Sequence, residues 1–142
     1  MNGIKCDQDK CSGCLSCVVA CIDQHYSEDQ ADAVSCRIYE KVVSERTGWM
    51  SYKIRSCLHC ENAACIDACP ANALYKNEQG FVIPVRENCI GCQACAAACP
   101  FDIPRFDREG KLVKCDGCYV RVAHGLKPAC VQSCNTGALK TK

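Results

Sequence analysis

Apolar residues in this 142-residue chain come in short runs, broken every few positions by glycine, asparagine, proline or a charge. Leu74–Lys76, the polar turn 77–80 and residues 81–85 predict a hairpin, and residues 105–107, 108–110 and 111–114 repeat the pattern. Ile38–Val43 and Met50–Arg55 read as two further strands. Alanine-rich segments at 63–68 and 93–98, together with 131–133, suit short helices. The longest cysteine-rich apolar runs, 17–22 and 95–101, are far shorter than the eighteen or more apolar residues of a membrane span, so no span is expected.

Composition changes this ordinary picture. Eighteen residues are cysteine, about 13% of the chain, and without them ordinary apolar side chains fall to about 37%. With nine aromatics as well, the chain cannot fill an interior from leucine and phenylalanine alone, so cysteine chemistry has to supply part of its cohesion. The first ten residues are polar and charged, with no apolar signal core, and no twin-arginine pair occurs anywhere; a cytoplasmic chain is expected. In a reducing compartment thiols serve metals rather than disulfides. A formal charge of +1 without a basic stripe gives no reason to expect nucleic acid.

The cysteines fall into four motifs. Cys11, Cys14, Cys17 and Cys21 are spaced C-x2-C-x2-C-x3-C, and Cys89, Cys92, Cys95 and Cys99 repeat that spacing, with Pro100 following. Cys57, Cys60, Cys65 and Cys69, followed by Pro70, widen the middle gap to four residues, and Cys115, Cys118, Cys130 and Cys134 widen it to eleven. Every motif opens C-x2-C and closes C-x3-C, so each half has a fixed geometric task and the link between them is a loop. A tight loop can wrap three thiolates around one cubane, whereas the fourth cysteine, on the following helical turn, ligates the other cluster of a pair in bacterial ferredoxins of this type.

Four motifs imply four [4Fe-4S] clusters. Motifs two and three are close in sequence and share Cys-Pro, which pairs Cys57, Cys60 and Cys65 with Cys99, and Cys89, Cys92 and Cys95 with Cys69. The outer motifs then pair Cys11, Cys14 and Cys17 with Cys134, and Cys115, Cys118 and Cys130 with Cys21. Ile22 and Asn135 replace the proline in the outer motifs. The expected fold is α+β and loop-rich, a double bacterial-ferredoxin-like arrangement forming one polyferredoxin domain over 1–142. Its inner unit is expected at about 57–114 and its outer unit from about 1–56 and 115–142. Cys6 and Cys36 are left over and are expected to be reduced thiols packing as small apolar groups.

Gly13, Gly91 and Gly117 each precede the second cysteine of their motif, where a residue without Cβ lets the backbone turn tightly against a cluster; simple turn punctuation is the plainer reading. His59 takes that place in motif two and is expected to pack beside a cluster rather than ligate it. The insert 22–56 carries an acidic stretch at 27–32 and the aromatics Tyr26, Tyr39, Trp49 and Tyr52, expected as core filler. An oxidised cubane with four thiolates carries about −2, which takes the chain to about −7 with four clusters. Residues 71–142 hold ten basic and six acidic side chains. Arg105, Arg108, Lys111 and Lys114 form the densest basic patch, able to offset that charge, although a solvated surface would look the same.

These motifs, with the segments Ala68-Cys-Pro-Ala-Asn-Ala73, Cys89-Ile-Gly-Cys92, Cys115-Asp-Gly-Cys118 and Cys134-Asn-Thr-Gly-Ala-Leu139, resemble the four-cluster iron–sulfur subunits of molybdenum and tungsten oxidoreductases. That family includes the electron-transfer subunits of dimethyl sulfoxide reductase, formate dehydrogenase and formate hydrogenlyase-type complexes. Ala63 and Asn135 depart from prolines usual in the family and leave the ligand set intact. The resemblance implies double-ferredoxin folding, the same crossed pairing, and a non-catalytic subunit that relays single electrons to or from a catalytic partner and a second redox partner. A tungsten or molybdenum pterin enzyme acting on formate or an aldehyde is the first expectation for that partner, and a hydrogenase-containing complex the next. A free soluble polyferredoxin, a filament of repeated copies and a zinc-binding module are the remaining readings. No acid–base constellation or phosphate-binding glycine loop points to catalysis on a substrate.

Overall fold

The protein, here as a computed structural model, is described over residues 2–26 and 34–141, so the acidic stretch 27–32 lies outside the described residues. Its elements are short. In chain order they are β1 (Ile4–Cys6), α1 (Ser16–His25), β2 (Ile38–Val43), β3 (Met50–Arg55), α2 (Ala64–Ala68), β4 (Leu74–Lys76), β5 (Val82–Pro84), α3 (Ala94–Ala98), β6 (Arg105–Phe106), β7 (Leu112–Val113), α4 (Tyr119–Ala123), α5 (Ala129–Ser133) and β8 (Leu139–Thr141). One 3-10 turn, Arg86–Asn88, precedes motif three. Among the described residues no helix is long and apolar enough to cross a membrane.

The strands form four antiparallel two-stranded sheets. β4 pairs with β5 and β6 with β7, and both hairpins turn on the same device. The side-chain oxygen of Asn77 accepts the Phe81 amide at 2.8 Å, and that of Asp107 accepts the Glu109 and Lys111 amides at 3.0 Å each. In each a short polar side chain takes the place of a backbone acceptor, and the Asp107–Glu109 bond is an Asx turn. β2 and β3 make a longer hairpin, in register from Ile38 opposite Arg55 to Val43 opposite Met50. β1 pairs with β8, Ile4 opposite Thr141 and Cys6 opposite Leu139, which draws motif one and motif four together.

Two of the helices stop where a proline follows. α2 and α3 stop at Cys69 and Cys99, which are extended (φ −81°, ψ 111° and φ −77°, ψ 117°) because each precedes a proline. Cys134 ends α5 with nearly the same angles, φ −74° and ψ 103°, although Asn135 follows it. In motif one, Ile22 puts up no such barrier, and α1 continues through Cys21 to His25.

Among the described residues the interior is three small buried clusters, each built partly of cysteine. The aromatics of the insert behave differently from core filler. Trp49, at the turn of the β2–β3 hairpin, is 76% exposed, and Tyr39, opposite Ile54 at its base, is 52% exposed, while Ile38 and Ile54 are buried. Tyr52 is half-buried against motif one, and Tyr26 donates its hydroxyl to the Val34 carbonyl at 2.8 Å.

Candidate metal centres

None of the eighteen cysteines is in a disulfide, and the structure sorts them by neighbourhood. Cys11, Cys14, Cys17 and Cys134 line one cavity, closed by Leu15, Ile54 and Leu139 and touched by Cys6. Cys21 is instead packed with Cys115 and Cys57, with Cys99 against them. Cys89 and Cys95 share a buried cluster against which Cys65 and Cys69 pack. Cys118 is buried at the start of α4, Cys130 is buried in α5, and Cys60 is half-buried in its loop. The last cysteine of each motif thus stands among cysteines of another motif.

Motif one and Cys134 adjoin Cys130 through the cluster that holds Cys17, Val18 and Ile54. Cys21 and Cys115 adjoin Cys57 and Cys99, and Cys65 adjoins Cys69, Cys89 and Cys95. Cys14 and Cys92 are the two cysteines exposed to solvent.

The loops aim donors at the sulfurs. Amides of His59, Ala73, Leu112 and Gly117 approach the Sγ atoms of Cys57, Cys69, Cys89 and Cys115 at 3.3 to 3.4 Å. Gly13 and Gly117 have φ of +72° and +73°, and a Cβ on either would come within 2.2 Å of Tyr52 or 2.3 Å of Phe81. Gly91 has the same φ and faces the Gly110 carbonyl. The glycines therefore serve aromatic and backbone packing as well as the turn, a requirement the cysteine spacing does not reveal.

His59 adopts φ +49° in motif two and is 2% exposed. The Val82 amide donates to its Nδ1 at 2.9 Å, so the proton of the neutral ring is on Nε2. That Nε2 is buried and has no partner among the described residues. Burial, helped by Lys114, pushes the imidazole down to about 3 and keeps it neutral.

The basic patch read from the sequence divides in two. Arg105 and Arg108 are exposed, but Lys111 reaches inward to the Cys89 carbonyl at 2.6 Å. Lys114 is 4% exposed and donates to the carbonyls of Val82 at 2.7 Å and Cys115 at 2.6 Å. Arg37, 3% exposed, has no carboxylate partner among the described residues, and its Nε and Nη2 are unpartnered there. Buried cations and an orphaned N–H among soft thiol sulfurs are the surroundings a negatively charged iron–sulfur cube requires, so the residues present fit that group.

Sequence reasoning missed one further pair. Because α1 runs on past Cys21, His25 lies one turn later; its Nδ1 donates to the Cys21 carbonyl at 2.9 Å and its Nε2 to Asp116 Oδ1 at 3.0 Å. The Asp116 hydrogen bond is the main reason that the imidazolium is held well above the usual histidine range. Asp116 also accepts the Cys118 amide at 2.7 Å, tying α1 to the loop of motif four. Cys36 donates to the Cys21 sulfur, which pulls the Cys21 thiol down and pushes the Cys36 thiol up.

Comparison with known proteins bears on this arrangement. Residues 49–142 match the family described as 4Fe-4S dicluster domain, and residues 8–21 match a 4Fe-4S binding domain. Over 147 residues the sequence is 40% identical to the B subunit of the anaerobic dimethyl sulfoxide reductase of Escherichia coli (strain K12), an alignment spanning 96% of this chain and 71% of that subunit. It is 39% identical over 141 residues to the thiosulfate reductase electron transfer subunit PhsB of Salmonella typhi, spanning 94% and 71%. It is 37% identical over 150 residues to the iron-sulfur subunit of the nitrate-inducible formate dehydrogenase of Escherichia coli (strain K12), spanning 94% of this chain and 51% of that subunit.

Proposed function

This protein belongs to the family of 4Fe-4S electron-transfer subunits of oxidoreductase complexes, and from that premise we propose that it relays single electrons through four [4Fe-4S] clusters between a catalytic subunit and a second redox partner. The sixteen cysteines of the four motifs hold the clusters in crossed pairs. Two ferredoxin-like units result, an inner one over about 57–114 and an outer one from about 1–56 and 115–142. Gly13, Gly91, Gly117 and His59 line the loops around them.

One observation supports this reading above the rest: cysteines of different motifs share the buried side-chain clusters, while Cys14 and Cys92 reach solvent. A carrier needs acceptor sites in series, insulated in the middle and open at the ends. Each cluster supplies one-electron redox chemistry when bound. The polypeptide supplies the rest: thiols that fix the spacing, loop amides that stabilise sulfur charge, and apolar walls of Leu15, Ile54 and Leu139 that exclude water from the site of motif one.

The catalytic partner is a molybdenum or tungsten pterin enzyme acting on formate or an aldehyde, the former in keeping with the similarity to a formate dehydrogenase iron-sulfur subunit. Anaerobic purification of the protein from its native cells tests both parts. The expected result is about sixteen iron atoms per chain with acid-labile sulfide, and a co-purifying large subunit that contains molybdenum or tungsten. Zinc without sulfide overturns the electron-transfer reading, and a loaded chain that purifies alone overturns the partner.

A further inference from the structure

We propose that Arg37 is the shared counter-ion of the two cluster sites built from motifs one and four, and that its charge raises the reduction potentials of both. This rests on the reading above that those sites hold [4Fe-4S] clusters.

A guanidinium stays protonated wherever a protein places it, so Arg37 is buried as a cation. Such burial is strongly unfavourable unless an opposite charge lies close by. The described residues offer none: Nη1 donates to Ser56 Oγ at 3.1 Å and to Cys130 Sγ at 3.4 Å, while Nε and Nη2 are directed at no acceptor among them. The position is well defined, because the Arg37 amide donates to Ser35 Oγ at 3.0 Å and Ile38 begins β2.

What surrounds the guanidinium is sulfur from two sites. Arg37 Nη1 touches the Cys130 sulfur at 3.4 Å, and Cys130 shares one buried side-chain cluster with Cys17. Cys17 belongs to the site of motif one and Cys134, Cys115 and Cys130 to the site completed by Cys21. One cation therefore faces both, and its unpartnered N–H groups are available to the charge those sites carry. A nearby positive charge in a poorly screened interior favours the form with one more electron, so the sign is upward for each.

The experiment compares the full-length wild type with Arg37→Gln, which keeps donors and drops the charge, and Arg37→Lys, which keeps the charge. Each protein is loaded anaerobically with iron and sulfide, assayed for both, and titrated electrochemically under electron paramagnetic resonance. Two of the four potentials are expected to fall in R37Q, namely those of the clusters disturbed by Cys134→Ser and Cys21→Ser, whereas R37K keeps all four near the wild type. Loss of iron in R37Q confined to those two clusters, with R37K fully loaded, supports the proposal equally. Unmoved potentials in a loaded R37Q overturn it, as does R37K behaving like R37Q, since shape rather than charge would then be what matters. A wild type that takes up no iron overturns the cluster reading itself and is a separate result.

Discussion

The ring of Tyr52 lies directly over Gly13, so close that a Cβ on the glycine would come within 2.2 Å of Cδ2. A strand of the insert thereby presses on the loop of motif one at a residue whose φ is +72°. Gly13→Ala adds a left-handed conformation costing about 1–2 kcal/mol to a clash with an aromatic ring. The expected outcome is loss of about one cluster's worth of iron, read by iron assay and electron paramagnetic resonance. A fully loaded G13A with unchanged thermal stability would show that the loop relaxes freely.

Cys134→Ser separates crossed from uncrossed ligation. It is expected to disturb the cluster held by Cys11, Cys14 and Cys17 and to spare that of Cys115, Cys118 and Cys130, because Cys134 lines the cavity of the first three. Spectra of single-cysteine variants in each group supply the comparison. If C134S matches a Cys118 variant instead of a Cys14 variant, the crossed pairing is wrong.

Cys36 is a near neighbour of that chemistry without belonging to it. Its thiol donates to Cys21, and that bond together with burial keeps it protonated. Cys36→Ala should leave iron content unchanged and lower stability by about 1 kcal/mol, a typical figure for one small buried group. Cys21→Ser, by contrast, should remove or convert one cluster. Equal iron loss in both variants would place Cys36 among the ligands.

Much of this was legible beforehand, and the residues show why the remainder was not. Cysteine spacing, the proline after Cys69 and Cys99 and the side-chain acceptors at Asn77 and Asp107 are local signals, so the helices, the β4–β5 hairpin and the core of β6–β7 follow from a few neighbouring residues. Arg37 and Lys114 carry no such signal. Charged side chains belong on a surface by default, and the groups that receive these two inside, Ser56 and Cys130 for Arg37 and the Val82 carbonyl for Lys114, come from distant parts of the chain. Trp49 failed in the opposite sense: a two-stranded hairpin buries little beyond its base, whatever aromatic residue stands at its turn. His25 was hidden because its role depends on α1 continuing past Cys21, which Ile22 in place of proline permits.

Lys114→Met tests the second buried cation. It leaves the carbonyls of Val82 and Cys115 without their donor, at about 1–3 kcal/mol for each buried group. A drop of several degrees in melting temperature is expected, measured anaerobically with iron content held equal. An unchanged melting temperature would mean that water reaches those carbonyls.

Removing the metal should remove the fold. Each of the three buried clusters of side chains is part cysteine, and the longest helix among the described residues has ten residues. Chelation of iron under reducing, oxygen-free conditions is expected to abolish most helical circular dichroism in step with the visible absorption. A colourless chain that keeps its far-ultraviolet spectrum would show that the polypeptide stands by itself.

Cys14 and Cys92 being the two open cysteines sets the order in which such a protein decays in air. Peroxide and dioxygen meet those two sulfurs first, and sixteen better-shielded ones come later. If the proposed relay is right, a half-bleached preparation would have lost the clusters that Cys14 and Cys92 help to hold: still brown, still folded, and unable to pass current to anything outside itself.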